Sequence, residues 1–278
     1  MNRPEQRKVG SSAWNDETHV RVFDYRSAYP SFLLRRHFER FNEGRLLRAQ
    51  YPSLPAGRFY EIGCATGETY RYVRRYMDKF DYYGFDVSEP AIRIATQRHG
   101  ADRFFRIDGD LGHVADQYGR AKVVFCRDVV MHQQRPYDLL TQLINLAEVA
   151  VFVRLRTRDV GETVADPELS CQCHYDNHWV PYIVLNTDEM ISRISAIPGV
   201  RSILISRRHE VLGGINGRFL PKELYFSAAG GAETAVCVLK DKNAAAPATV
   251  AFDDKVDGRF TLFERVLRRL LMRRAATI

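Results

Sequence analysis

An acid, two glycines and a second acid are spaced along residues 61–86 in a way that can hold a small polar ligand. Arg58-Phe59-Tyr60-Glu61-Ile62 reads as an apolar strand, and it ends in the turn Gly63-Cys64-Ala65-Thr66-Gly67. A helical pattern follows over 68–77. Strand, glycine turn and helix together present backbone N–H groups at a helix N-terminus. Nineteen residues past Gly67, the run Tyr82-Tyr83-Gly84-Phe85 ends in Asp86, with Val87 beside it. An acid at the end of a second strand is placed to accept hydrogen bonds from a ribose diol. A turn built for a pyrophosphate has Gly-x-Gly-x-x-Gly. Here the middle small residue is Ala65, the spacing differs, and Glu61 would repel a phosphate while suiting an ammonium group. A solvated strand-end acid and an ordinary turn glycine would explain the turn alone, but not Asp86 at this distance as well.

The elements that must position these residues alternate. Strands are expected over 59–63, 82–87, 103–107, 122–127 and 150–155, and helices over 68–77, 89–99 and 136–147. Helices falling between strands argue for βαβ units and a mostly parallel sheet. One helix is expected over 29–50, ended by Pro52 and Pro55. Past the fifth strand lies a polar insertion, 156–186, rich in Asp, Cys, His and Trp. A helix over 187–197, capped by Asn186 or Thr187, follows it. Strands 202–206 and 235–239 flank the glycine-rich link 213–217. The division expected is an N-terminal tail and covering helix (1–57), a central domain (58–241), and a linker with a tail helix (242–278).

The pair of motifs around Gly63–Gly67 and Asp86 resembles the first two motifs of class I S-adenosylmethionine (SAM) dependent methyltransferases, and the likeness spans about residues 58–241. It implies an α/β fold with a Rossmann-like, seven-stranded, mostly parallel sheet flanked by helices. A late antiparallel hairpin and N- and C-terminal helical additions complete that fold. It implies SAM as cofactor, held by Glu61, Gly63, Cys64, Ala65 and Gly67, with Asp86 and Val87 at the ribose. Arg106-Ile107-Asp108-Gly109-Asp110-Leu111 is similar to the third motif, in which an acid meets the adenine amino group and an apolar neighbour meets the ring. Asp110 and Leu111 fit those places. Asp108 is the second choice, and an Asx turn capping a short helix is the plain alternative. The run 123–132 is similar to the strand-four stretch, which would lay the backbone of Cys126 and Arg127 against the cofactor and bring His132 near the transferred methyl group. It departs from the family at Ala121-Lys122, where many members carry an acid.

Histidine has the right unperturbed pKa to deprotonate a hydroxyl at neutral pH, so His132, His174 and His178 are the candidate catalytic residues. His132 capping the following loop is the alternative. Cys171-Gln172-Cys173-His174 followed by His178-Trp179 has some character of a zinc site. The usual paired-cysteine spacing and a second pair are absent, so a substrate-binding loop is the preferred reading and no metal is expected. The acceptor expected is a small molecule or glycan, methylated at oxygen. An RNA or other nucleic-acid methyltransferase and a non-catalytic SAM-fold protein are the competing readings.

The 278 residues carry 45% hydrophobic residues, five cysteines and a net charge of +7. That composition suits a globular chain in a reducing cytosol, with an anionic partner. Residues 1 to about 18 are polar and read as mobile, with no signal-like apolar core over 1–17. A nucleic-acid partner is disfavoured because the basic excess lies largely in the tail. There, Phe263, Val266, Leu267, Leu270 and Leu271 mark one helical face over 259–275, and arginines line the other. Such a helix suits an anionic membrane surface, which would place the protein peripherally at the inner face of a membrane. It equally suits packing on the protein's own core or on a second subunit, and the oligomeric state is left open.

Overall fold

The computed structural model describes residues 10, 12–17, 20–21, 24, 28–100, 102–174, 178–209, 218–219, 231–244, 246–254 and 266. Five strands run parallel in the spatial order β3-β2-β1-β4-β5: β1 (Gly57–Ile62), β2 (Phe80–Asp86), β3 (Phe104–Arg106), β4 (Ala121–Arg127) and β5 (Ala147–Arg158). The three-stranded sheet of β6 (Cys171–His174), β7 (His178–Pro181) and β10 (Arg218–Phe219) forms in and after the insertion. Beyond β5 the main sheet continues with β11 (Ala232–Lys240), antiparallel to both β5 and β9 (Val200–His209). The seven expected strands are therefore present in a Rossmann-like order, with the late antiparallel pair in place.

Two further strands join the main sheet. β8 (Leu185–Asn186) pairs with the end of β5, and β12 (Thr249–Phe252) lies parallel to β9 at the outer edge. The latter falls in the stretch read as a linker. Thr-Val-Ala-Phe is good strand sequence. Arg207 Nη2 to Asp254 at 2.8 Å and Arg45 Nη1 to Asp253 at 3.1 Å fasten its far end.

Side-chain alternation divides the helices between the two faces. On β5, Ala150 and Phe152 meet Leu33, Leu34 and Phe38 of α1 (Ser31–Arg40), Leu46 and Leu47 of α2 (Asn42–Gln50), and Tyr72 and Val73 of α3 (Glu68–Tyr76). Ala95 of α4 (Glu89–His99) joins this layer. Val151, Val153 and Leu155 point the other way, toward α5 (Leu111–Tyr118), α6 (Pro136–Leu146) and α7 (Thr187–Ser195). α7 is capped by Asn186, whose side chain accepts from the Glu189 amide.

The single helix expected over 29–50 is two helices, broken at Phe41, which is extended (φ −79°, ψ 144°). Packing overrides helical periodicity there. A Cβ on Gly44 would stand 2.2 Å from the Phe38 carbonyl oxygen, so the bare glycine lets α2 fold back on α1. The fold-back presses Phe38 onto the sheet, stacked on Tyr72 at a ring distance of 4.0 Å. Residues 12–15, expected to be mobile, form a 3-10 turn.

Among the described residues no helix is long and apolar enough to cross a membrane. The tail helix expected over 259–275, apart from Val266, and the link 213–217 lie outside the described residues. Phe38 is 1% exposed, so Phe38→Ala leaves a cavity between α1 and the sheet. The expected loss of stability is about 3–5 kcal/mol, read as a lower urea midpoint at unchanged slope.

Candidate cofactor and acceptor site

Parallel pairing sets Ile62 beside Phe85 and Cys126, and Arg127 beside Arg154. The turns after β1, β2, β3 and β4 therefore leave the sheet on one side, where ligands bind in open α/β sheets. The first of them is tight. Gly63 and Gly67 have φ of 79° and 82°, and Ala65 sits at +46°. A Cβ on Gly63 would fall 2.2 Å from Cγ2 of Val129, so the chain after β4 presses directly on this loop. Gly67 N-caps α3, whose first amides open toward the loop.

Asp86 ties that loop to β2. Its Oδ2 accepts from the Ala65 amide and its Oδ1 from the Ser88 amide, both at 2.8 Å. Burial pushes its carboxyl up from the usual range, and these amides pull the other way, favouring the anion. Val87 beside it is exposed. Asp110 is exposed and N-caps α5, with Oδ1 accepting from Gly112 N at 2.8 Å, so the capping reading of that acid is correct as local structure. Its neighbour Leu111 is buried. Asp108 instead accepts from the Asp110 amide and faces His113 Nδ1 at 2.9 Å.

Glu61 is 3% exposed and accepts from the Tyr82 hydroxyl. Burial drives its pKa up to about 7, against the pull of the Tyr82 hydroxyl and the Arg127 charge. Cys64 and Cys126 are both buried, and burial raises both thiols far above the range in which they ionise. At these positions it is the backbone that can meet a ligand. The Arg127 side chain turns inward, 3.4 Å from Glu68 and 4.0 Å from Glu43.

Arg127 belongs to a buried group of charges that sequence reasoning missed. Arg154 Nη1 lies 3.1 Å from Glu43 of α2, and Arg156 Nη2 lies 3.3 Å from Asp128 and 3.5 Å from Glu233. His37 of α1 stands 3.9 Å from Glu68. Burial lowers the Arg154 guanidinium to about 10, which leaves it charged at neutral pH. Burial raises the Glu43 carboxyl despite Arg154 and Arg127. Glu233 is held low because Arg154 and Arg156 outweigh its burial. The signal was readable: Ala150, Phe152, Arg154, Arg156 and Arg158 continue one period-2 face, and β5 runs on to Arg158 rather than ending at Leu155.

On the acceptor side, Val130–His132 is a 3-10 turn. His132 Nδ1 donates to the Pro181 carbonyl at 2.7 Å. A carbonyl only accepts, so this ring carries a proton on Nδ1. Trp14 packs on the His132 ring at 5.0 Å, and the Gly10 amide donates to the Trp179 carbonyl at 3.0 Å. The N-terminal segment thus reaches the same edge. His174 and His178 face each other across the β6–β7 hairpin, and their side chains lie outside those described. Among the described residues no three His, Cys, Asp or Glu side chains cluster as metal ligands do.

Residues 60–148 match the family described as Methyltransferase domain. This stretch runs from β1 to the start of β5 and carries the turns after β1, β2, β3 and β4. That match gives residues 60–148 as a methyltransferase domain, built on the Rossmann-like sheet. The chain is similar to the N-terminal domain of EvdMO1, solved in the presence of SAH and D-fucose, at 18% identity and a TM-score of 0.49, over 72% of this chain and 83% of that one. It is also similar to magnesium protoporphyrin IX methyltransferase (ChlM) from Synechocystis PCC 6803 with bound SAH, at 12% identity and a TM-score of 0.47, over 83% and 97%. A third similar structure is a SAM-dependent methyltransferase from Anabaena variabilis ATCC 29413, at 14% identity and a TM-score of 0.47, over 85% and 97%. No curated protein matches the chain.

Asp86→Ala removes a charged acceptor from the cofactor edge and unties Ala65. Charge-assisted hydrogen bonds are worth about 1.5–3 kcal/mol, so affinity for SAM should fall by roughly 10- to 100-fold in calorimetry. Glu61 binds its proton more tightly in the folded chain, at about 7 against an ordinary 4.5. The folded state is therefore penalised as pH rises through that window, by an amount on the order of 3 kcal/mol that is complete above about 7 and absent below about 4.5. Glu61→Gln removes the titrating group, so urea unfolding should show the variant gaining stability relative to wild type between pH 5 and pH 8.

Proposed function

We propose that this methyltransferase acts at a hydroxyl oxygen of a small-molecule or glycan acceptor, with His132 as general base. The observation that carries the proposal is the His132–Pro181 hydrogen bond, which fixes a proton on Nδ1, so that in the neutral ring Nε2 is the basic nitrogen. An oxygen nucleophile gains from such a base, whereas a carboxylate does not.

The residues present suit SAM. Gly67 N-caps α3 beside the turn, and the Asp86 carboxylate stands at the end of β2 against the Ala65 amide, which supports a cofactor held at this edge. In this reading Glu61, Gly63, Cys64, Ala65 and Gly67 border the amino-acid moiety, Asp86 and Val87 the ribose, Asp110 and Leu111 the adenine, and the backbone at Cys126 and Arg127 the region of the methyl group. SAM supplies an activated methyl on a sulfonium. The chain's own work is to align the acceptor oxygen, exclude water and take up the hydroxyl proton at His132 Nε2. Trp14 against His132 supports the exclusion of water. His174 and His178, paired at the turn end of the β6–β7 hairpin, are the other acceptor-side candidates.

A methyl-transfer screen with labelled SAM over sugars, nucleotide-sugars, lipid-linked glycans and RNA identifies the acceptor class. With the acceptor in hand, His132→Ala should lower kcat by about 100-fold or more while calorimetry shows SAM binding intact. Full turnover in His132→Ala, with only RNA labelled in the screen, would reject both halves of the reading.

A further inference from the structure

Asp128 stands at φ +58°, in the left-handed region that non-glycine residues seldom occupy. It opens the turn that carries Val129 to the glycine loop and His132 to the acceptor edge. Such a conformation persists only where its surroundings over-determine it. Here they do. The Asp128 amide donates to the Arg154 carbonyl at 3.2 Å. The Asp128 carboxylate is forked by Arg154, with Nε donating to Oδ1 at 2.9 Å and Nη2 to Oδ2. Arg156 approaches the same carboxylate at 3.3 Å. Arg154 is itself held by Glu43 at 3.1 Å and lies over the Phe41 ring at 4.3 Å. The far end of the turn is tied by His132 N to Val129 O at 2.9 Å, by Ile183 N to Met131 O at 2.7 Å, and by the His132 ring on Pro181.

We propose that Asp128, gripped by Arg154 and Arg156, is the positioning residue that sets the cofactor loop and His132 in register with each other. The carboxylate fixes the turn, Val129 transmits its position to Gly63, and Val130–His132 transmits it to the imidazole. Asp128 touches neither of the reacting groups in this account. The inference rests on the reading of His132 as the acceptor-side base.

The test separates charge from backbone shape. Asn and Gly both tolerate the left-handed conformation, but neither offers a carboxylate to the arginines. Asp128→Asn and Arg154→Lys should each weaken SAH binding about tenfold or more in calorimetry. Each should also shift the His132 imidazole resonance, assigned by its loss in His132→Ala, and move the midpoint of its pH titration. Circular dichroism should match wild type. SAH affinity within twofold of wild type and an unmoved His132 resonance in both variants would overturn the proposal. So would a Asp128→Gly variant indistinguishable from wild type, because backbone freedom alone would then suffice. The resonance decides even where SAH binding is too weak to measure. Full turnover in His132→Ala would remove the base reading, yet leave the effect of Asp128→Asn on the imidazole and on SAH binding to stand or fall by itself.

Discussion

Three guanidinium groups and four carboxylates cluster where α2 and α3 meet the ends of β4, β5 and β11, with Arg154, Arg156, Glu43 and Glu233 buried, and the rest of the site is arranged around them. Arg127, Arg154 and Arg156 face Glu43, Glu68, Asp128 and Glu233 across contacts of 4.0 Å or less. Burying charges costs several kcal/mol per ion, and mutual attraction repays this only when the geometry is good. An apolar filling of the same space would stabilise the fold as well or better. What the charges supply is direction: each guanidinium has one arrangement in which its partners are met. That arrangement links the N-terminal helices to the turn after β4.

A parallel sheet gathers its functional turns on one edge but leaves them to pack on one another without strand pairing. Gly63 and Val129 show how closely this is done. The turns after β1 and β4 touch where any side chain at position 63 would collide, so a change in either turn is felt by the other. Both hold a non-glycine residue at positive φ, Ala65 and Asp128. Ala65 is held by Asp86 through its amide, and Asp128 by Arg154 through its carboxylate. The turns after β1 and β4, which the proposed function assigns to the cofactor and the acceptor, are thus two strained turns locked by charged partners on neighbouring strands.

Much of this was legible in the sequence because it is local. Strand, glycine turn and helix at 58–77 follow from residue type and spacing, and Asp86 at the end of β2 follows from the length of one βα unit. What was hidden depends on distant pairing. The break at Phe41 serves the close approach of Gly44 to Phe38, which periodicity along one helix cannot register. β12 exists because β9 offers an open edge and Arg45 and Arg207 offer partners for Asp253 and Asp254. The arginines of β5 looked like the start of a polar insertion. They belong to the last residues of a strand whose one face changes from apolar to charged while it is still paired with β11. His132 was chosen for its chemistry, but the identity of its protonated nitrogen needed Pro181, 49 residues away.

The central claim is that the cofactor lies along the carboxyl edge of β1, β2, β3 and β4, against the turns described. Amide hydrogen exchange on the full chain with and without saturating SAH tests it directly, because those turns are backbone and each amide reports for itself. The account predicts slowed exchange at residues 63–68, 86–88, 110–112 and 127–129, with the outer strands β9 and β12 unchanged. Slowing confined to β9, β12 or the β6–β7 hairpin, with the glycine turn unaffected, would contradict it.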